Sequence, residues 1–447
     1  MAERAGIILA AGIGRRMKSA KPKVMHTVAG RPVLGHVIAA MREAGVGRIV
    51  VVRSAQADSV RDYAASLDVA TVVQEQQLGT GHAAACAMPA LSDFSGTLLI
   101  NNGDMPLVTG PTFSSVFAAA EKTGLAIAAF RASEPGAYGR VILDADGYLD
   151  RIVEHKDATE AERDVDLFNA GTVVANAPDF FRWAAKLEKT NAQGEFYLTD
   201  VPLIAKREGV RCAVLESDAV EVMGMNDRAE LAQAEAQMQT RLRARALGAG
   251  VGMLAPQTVF LSWDSVLEAD VWIGPFVVFG PGVTVRSGAE IRAFSHLEGS
   301  IVEQRAVVGP YARLRPGASI GEDVHIGNFV EVKNAQIEKG AKANHLSYLG
   351  DAHVGPGANI GAGTITCNYD GFVKHPTQIG AGAFIGSNSA LVAPIAIEDG
   401  AVVGAGSVVT RDVSKDALAV ARAEQKEISG WAARFRVRKT AEKAKRG

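Results

Sequence analysis

Two groups of residues in this 447-residue chain have types and spacings that could do chemistry. The first follows the apolar run Ile7-Ile8-Leu9, which leads into Ala10-Ala11-Gly12-Ile13-Gly14-Arg15-Arg16-Met17 and then Lys21-Pro22-Lys23. A dinucleotide fingerprint needs a third glycine at Met17 and a P-loop needs Gly-Lys-Ser/Thr, so neither fits. What remains is a glycine turn whose backbone N–H groups can approach phosphates, with Arg16 and Lys23 to neutralise them; a plain βα turn is the competing reading. The second group is Arg313, Arg315, Glu331, Lys333, His345, Tyr348, Asn359, Asn368 and Tyr369, which gathers cations, an acid, phenols and a histidine. An imidazole titrates near neutrality and can take a proton from an attacking nucleophile. His296, His325, His353 and His375 are read as structural.

The elements that must position these groups differ between the two halves. Glycines number 20 in residues 1–226 and 22 in the shorter stretch 271–412, which marks a change of architecture. In the first stretch, aliphatic runs at 5–9, 49–52, 70–73, 97–100 and 125–129 alternate with segments of helical period at 33–44 and 82–91. Such runs predict an α/β domain with a doubly wound, mostly parallel sheet, whose ligands sit beyond the carboxyl ends of the strands. In the second stretch, large aliphatic residues recur every six positions from Ile273 to Leu297, Val302 to Val332, Val354 to Ile360 and Ile379 to Val409. That period predicts a parallel β-helix of hexapeptide repeats, with glycine at its corners and the breaks near 297–302, 337–348 and 366–378 as loops leaving it. Three hexapeptides make one coil, so Arg315 and Lys333, 18 residues apart, stack on one face of adjacent coils. Arg313 and Glu331 share that step, which leaves a structural ion pair as their competing use. A segment from Asn226 to Leu247, with Asp227 as N-cap, reads as a connecting helix. The expected domains are therefore 1–226, a linker helix at 227–249, and 250–447 with a basic, solvated tail after Trp431.

Composition narrows the function classes. The chain carries 47 Lys+Arg against 49 Asp+Glu, a net charge of −2, so there is no global case for nucleic acid or an anionic membrane, and polyanions must be met by local clusters. With 48% apolar residues it has enough aliphatic surface to build cores, and its glycines lack the three-residue period of collagen. Cys86, Cys212 and Cys367 show no metal-type spacing and suit a reducing cytoplasm. The N-terminal apolar run is too short for a membrane span or a signal peptide.

Taken together, Leu9-Ala10-Ala11-Gly12-x-Gly14-x-Arg16-Met17-x-Ser19-x-x-Pro22-Lys23, Gln74 with Leu78-Gly79-Thr80-Gly81-His82-Ala83, and Asn102-Gly103-Asp104-Met105-Pro106-Leu107 resemble the sugar-1-phosphate nucleotidyltransferases. With the hexapeptide half, the chain from Leu9 to about Arg422 resembles the bifunctional bacterial N-acetylglucosamine-1-phosphate uridylyltransferases/glucosamine-1-phosphate N-acetyltransferases. The resemblance implies acetylation of glucosamine-1-phosphate by acetyl-CoA, then UMP transfer from UTP with release of pyrophosphate, giving UDP-N-acetylglucosamine for the cell envelope. It further implies a left-handed β-helix, a cytoplasmic homotrimer with acetyl-transfer sites between subunits, and Mg²⁺ on Asp104 and Asn226. Asp104 follows an apolar strand and emerges at its carboxyl end, where a hard cation sharing phosphate oxygens belongs.

By the same resemblance, Leu9, Ala10, Ala11, Gly12, Lys23, Asn102 and Gly103 line the nucleotide, and Gln74, Gly79 and Thr80 contact the uracil end. Gly139, Glu154 and Asn169 contact the amino sugar, and Arg16 and Lys23 stabilise the transferring phosphate. His345 matches the acetyl-transfer base and Glu331 the acid that orients it; Arg315 and Lys333 match the sugar-phosphate clamp, Tyr348 and Asn359 the sugar site. Ala362, Asn368, Tyr369, Ser387, Ala405 and Arg422 match acetyl-CoA contacts. Arg15 and Asn344 stand where relatives carry small residues. Three alternatives are a nucleotidyltransferase with a merely structural β-helix, a zinc hydrase using His325, His345 and His353, and nucleic-acid binding by the tail. The set Glu331, His345, Tyr348, Asn368 and Tyr369, which a scaffold does not need, separates the first from the two-reaction reading.

Overall fold

The computed structural model of the protein describes residues 3–132 and 138–446. Its contacts divide into two units, Met1–Arg245 with Leu261–Trp263, and Ala246–Phe260 with Asp264–Gly447.

In the first unit each aliphatic run is a strand: β1 (Arg4–Ala10), β2 (Arg48–Ser54), β3 (Ala70–Gln74), β4 (Thr97–Asn102) and β5 (Leu125–Arg131). Later come β6 (Arg140–Leu143), β7 (Leu149–Val153), β8 (Leu167–Asn176) and β9 (Cys212–Glu216), and the main sheet runs β9-β5-β8-β4-β1-β2-β3. All pairs in it are parallel except those of β8, which runs against β4 and β5 and also pairs with the β6–β7 hairpin. The sheet is thus mostly parallel with one reversed strand, whose Asn169-Ala170-Gly171 bulge carries polar groups to the ligand edge. Alternate residues of one strand feed opposite cores: Ile8, Val51 and Leu99 on one face, Ile7, Val50 and Ile100 on the other.

Helices α1 (Val33–Glu43), α2 (Asp58–Ser66), α3 (Thr80–Cys86) and α4 (Gly110–Thr123) cover the faces. The segment expected as helix over 82–91 is shorter: α3 stops at Cys86 and a separate 3-10 turn, Met88–Leu91, holds Pro89. Proline has no N–H to continue an α-helical ladder. The connecting helix, Arg228–Gly248, begins as expected, with Asp227 accepting from the N–H groups of Ala229 (2.9 Å) and Glu230 (3.0 Å).

The second unit is a three-sided parallel β-helix, with sheets of ten, eight and eight short strands. Every aliphatic residue of the six-residue register is buried, from Ile273 at 0% exposure to Val409 at 4%. Two of the three expected loops are absent. Val285 pairs with Val302 and Val332 with Leu349, so these coils are one residue shorter than the 18 of Ile273–Ile291, and the chain stays on the helix. Only the third break is a true excursion: Val354 pairs with Ile379, and residues 368–374 leave the coil.

The glycine expectation also needs correction. Left-handed corners are shared between glycines, such as Gly282, Gly317, Gly340 and Gly406, and other residues, including Asp270, Phe276, Phe294, Tyr311, Phe329 and Leu346. Glycine after the buried aliphatic residue answers a different constraint, the approach of the next coil. A Cβ on Gly327 would lie 1.9 Å from the carbonyl oxygen of Asn344, and one on Gly386 2.4 Å from the amide nitrogen of Ala405. Aromatic residues are placed outside the prism: Phe276, Phe294, Tyr311 and Phe329 stack coil upon coil at 5.1, 4.8 and 5.2 Å. The basic tail is a solvent-exposed helix, Trp431–Ala444, with no buried residue.

Candidate active sites

A cleft of ≈ 320 Å³ opens at the carboxyl ends of β1, β3 and β4. It is lined by Leu9, Ala10, Ala11, Gly12, Lys23, Gln74, Gly79, Thr80, Asn102 and Asp104, ten of the residues expected at the nucleotide. Gln77 and Glu195 line it too, and sequence reasoning missed both; Gln77 donates to the Ala11 carbonyl at 2.6 Å and so fixes the glycine turn. Gly103 supports the floor, donating to the Leu9 carbonyl at 2.9 Å. Arg16 does not line the cleft and stands exposed on the turn Arg15–Met17, whose flanking Gly14 and Lys18 are both left-handed.

At the cleft edge the Lys23 ammonium hydrogen-bonds Asp104 and lies 3.3 Å from Asn226 Oδ1. Two oxygen donors, one charged and one neutral, thus already face a common cation. Such a set fits a hard divalent ion that completes its shell with phosphate oxygens and water. Tyr138, which carries no sequence signal, holds this corner: its hydroxyl accepts from the Gly224 N–H at 3.0 Å and donates to the Gly224 carbonyl at 3.3 Å. Burial pushes its phenol up to about 12.

The amino-sugar residues come together on the hairpin and β8. The Asn169 N–H donates to the Gly139 carbonyl at 2.8 Å, and a Cβ on Gly139 would lie 3.5 Å from the Glu154 carboxylate. Glu154 accepts from Thr199 Oγ1 at 3.0 Å, and burial, with Asp157 and Asp200 nearby, raises its pKa. A carboxyl raised in the folded state contributes stability below its ordinary titration range, and that contribution is lost as pH rises through the raised value. Glu154→Gln is therefore expected to match the wild type in heat resistance of uridylyl transfer at pH 4–5 and to exceed it at pH 8. A variant less resistant than wild type only at pH 8 would contradict this.

In the β-helix, Arg315, Glu331, Lys333 and Tyr348 lie on one sheet, in the register Leu314–Val332–Leu349. Glu331 accepts from Arg315 at 2.9 Å, so its ion pair is with that residue and not with Arg313. The side chain that meets the histidine at Nδ1 is not Glu331 but Asn328, whose Oδ1 lies 2.7 Å away. An amide oxygen only accepts, so Nδ1 carries the proton and Nε2 is left with its lone pair. Asn328, one coil below His345, is the partner that sequence reading missed. Lys374 is another: from the 368–374 excursion it crowds Lys333, and with Arg315 it lowers the Lys333 pKa. Asp351 ties the excursion down through Asn368 and also accepts from Asn334 at 2.6 Å.

Asn359 belongs to a different sheet, paired with Lys342 and Phe384, because it falls about two hexapeptides after Tyr348. Ala362, Ser387, Ala405 and Arg422 form a column at one corner: Asn388 N–H donates to Ala362 O, Gly406 N–H to Ser387 O, and Arg422 Nη1 to Ala405 O at 2.6 Å. Tyr369 is exposed on the excursion, its hydroxyl on the Gly371 carbonyl. The zinc alternative lacks its ligands: His353 binds Glu338 at 3.0 Å, and among the described residues no three metal-binding His, Cys, Asp or Glu side chains converge.

A cleft at the carboxyl edge of a mostly parallel sheet, in one chain with a hexapeptide helix bearing an exposed histidine and a cation cluster, has the layout of a two-site transferase. Comparison with protein families agrees: residues 6–188 match the MobA-like NTP transferase domain, 299–334 the bacterial transferase hexapeptide (six repeats), and 376–411 the hexapeptide repeat of succinyl-transferase. The chain is 54% identical to the bifunctional protein GlmU of Acidiphilium cryptum, covering 97% of this chain and 98% of that one. It is 53% identical to that of Hyphomonas neptunium (99% and 97%) and 52% identical to that of Sphingopyxis alaskensis (99% and 99%). The chain belongs to the GlmU family. It is a bifunctional enzyme that acetylates glucosamine-1-phosphate with acetyl-CoA in its C-terminal unit and transfers UMP from UTP to N-acetylglucosamine-1-phosphate in its N-terminal unit, the second unit being a left-handed β-helix.

Proposed function

We propose the following division of roles. In the cleft, Gln74, Gly79 and Thr80 meet the uracil, the glycine turn from Leu9 to Gly12 and Asn102–Gly103 line the nucleotide, and Gly139, Glu154 and Asn169 hold the amino sugar. The sugar phosphate attacks the α-phosphorus and pyrophosphate leaves; Lys23, with Arg16 from the turn, stabilises the charge that builds on the transferring oxygens. Asp104 and Asn226 hold Mg²⁺, which supplies further charge neutralisation at the phosphates. The carrying observation is the Lys23–Asp104–Asn226 convergence at the strand ends.

In the β-helix, His345 Nε2 takes a proton from the sugar amine as its nitrogen attacks the thioester carbonyl; the C–S bond then breaks and His345 returns that proton to the departing sulfur, releasing the thiol of coenzyme A. Arg315, Lys333 and Lys374 hold the phosphate, Tyr348 and Asn359 the sugar, and Asn368, Tyr369 and the Ala362–Ser387–Ala405–Arg422 column the acetyl-CoA. A homotrimer is supported by two features. Asn359 faces away from the phosphate sheet, so one chain alone does not close the site. The aromatic ladder that ends beside His345 is half exposed, with Phe276 at 54% and Phe329 at 56%. A cytoplasmic location suits the small-molecule substrates and the free cysteines, and no helix among the described residues is long and apolar enough to cross a membrane.

Lys374 gives the test. Lys374→Ala removes one phosphate partner and relieves Lys333, which then keeps its proton to higher pH. The KM for glucosamine-1-phosphate should rise about tenfold, as expected for one charge-assisted hydrogen bond, and the alkaline limb of acetyl transfer should move up in pH. An unchanged KM and unchanged limb would remove Lys374 from the site.

A further inference from the structure

The Gln74 amide is held by two neighbours. Gln74 ends β3 and is only 4% exposed. Its Nε2 donates to the Gly79 carbonyl at 3.1 Å and lies 3.0 Å from His82 Nδ1 in the first turn of α3. A backbone carbonyl can only accept, so the atom facing it must be the NH₂ group. Its second hydrogen then points to His82 Nδ1, which must be the unprotonated acceptor of the ring. Both donors of the amide are consumed, and Oε1, with no partner among the described residues, is the one polar atom left for a ligand.

His82 is itself fixed. Its ring stacks on Phe196, 6.2 Å between centroids at 24°, and Cys86 Sγ sits 4.0 Å from both ring nitrogens. Residues 78–81 are pinned to the loop at Phe196, with the Gly81 N–H on the Phe196 carbonyl and the Phe196 N–H on the Leu78 carbonyl, both 2.8 Å. The ring cannot swing away without breaking this stack.

We propose that His82 is a positioning residue for base selection: it holds the Gln74 amide so that only Oε1 meets the nucleobase, which fits the N3–H donor of uracil and opposes the N3 acceptor of cytosine. The inference rests on the reading that Gln74 meets the uracil. A site whose polar group is locked in one sense discriminates because the wrong base leaves it unpaired in a desolvated cleft. A free glutamine could rotate its amide and accept either base.

The full-length enzyme with Mg²⁺ and N-acetylglucosamine-1-phosphate would be assayed for kcat/KM with UTP and with CTP, and acetyl transfer by the same sample reports folding. His82→Leu should lower the UTP-to-CTP ratio about tenfold, the scale of one lost hydrogen bond, whereas His82→Asn, which retains an acceptor, should keep it within about threefold. An unchanged ratio in His82→Leu, with Gln74→Ala collapsing it, overturns the role of His82 and leaves Gln74 in place. An unchanged ratio in Gln74→Ala overturns the underlying reading, and the inference with it. Should His82→Leu lose acetyl transfer as well, ¹⁵N imidazole spectra of the wild type decide, with His82→Asn assigning the resonance. A proton on Nε2 with bare Nδ1 supports the proposal, and a protonated Nδ1 contradicts it.

Discussion

His345→Ala lowers acetyl transfer by about 10²–10⁴-fold, the range for removing a positioned general base, and leaves pyrophosphate release from UTP unaltered. The asymmetry follows from placement. His345 lies in the β-helix unit with its Nδ1 proton on Asn328, and the cleft proposed for UTP belongs to the other unit. The side chain is exposed and fills no core, so its removal leaves no cavity to destabilise the coil. Release of free thiol from acetyl-CoA is the readout. Asn328→Ala sharpens the test: it frees the tautomer without deleting the base, so a smaller loss is expected. Equal loss of both activities in His345→Ala would refute the division of labour.

Lys23→Ala has the opposite profile. Uridylyl transfer falls by about 10²–10³-fold, as when a preorganised electrostatic partner of a developing charge is removed, and acetyl transfer is retained. Lys23 and Asp104 are each largely enclosed, 15% and 17% exposed at the side chain, so the variant leaves a carboxylate without its ammonium. Some loss of stability in the first unit is expected for that reason. Retained binding of Mg²⁺ by the variant separates a lost catalytic charge from a collapsed site. A variant that transfers UMP at the wild-type rate would remove Lys23 from the chemistry.

The parts of the molecule legible in the sequence were those with a period. The six-residue register fixes the buried face of nearly every coil, and the aliphatic runs fix β1 to β5. Single-residue deletions were illegible as such, because a shortened coil and a loop both interrupt a register in the same way. Val302 and Leu349 show that the helix absorbs the missing residue at a corner. The glycines misled in a similar manner: left-handed corners and close coil contacts both select glycine, and only the backbone separates the two.

Site residues embedded in motifs fell into the cleft as a group, whereas Tyr138, Gln77, Asn328 and Lys374 act through distances that no local pattern encodes. Glu331 illustrates the limit. Spacing offered it Arg313, resemblance offered it His345, and the side chains meet as Glu331 with Arg315. Arg313 and Arg315, two residues apart, project to the same face, so which of them the acid reaches depends on rotamers and not on the spacing.

The central claim is that one chain carries two chemistries on two separate sets of residues. Its most direct test is to incubate the intact protein, His345→Ala and Lys23→Ala with acetyl-CoA, glucosamine-1-phosphate, UTP and Mg²⁺, following thiol and pyrophosphate separately. The wild type should release both, with pyrophosphate lagging thiol. His345→Ala should release pyrophosphate only when N-acetylglucosamine-1-phosphate is added, and Lys23→Ala should release thiol alone. Pyrophosphate from the wild type without prior thiol, or loss of both products in either variant, would contradict the account.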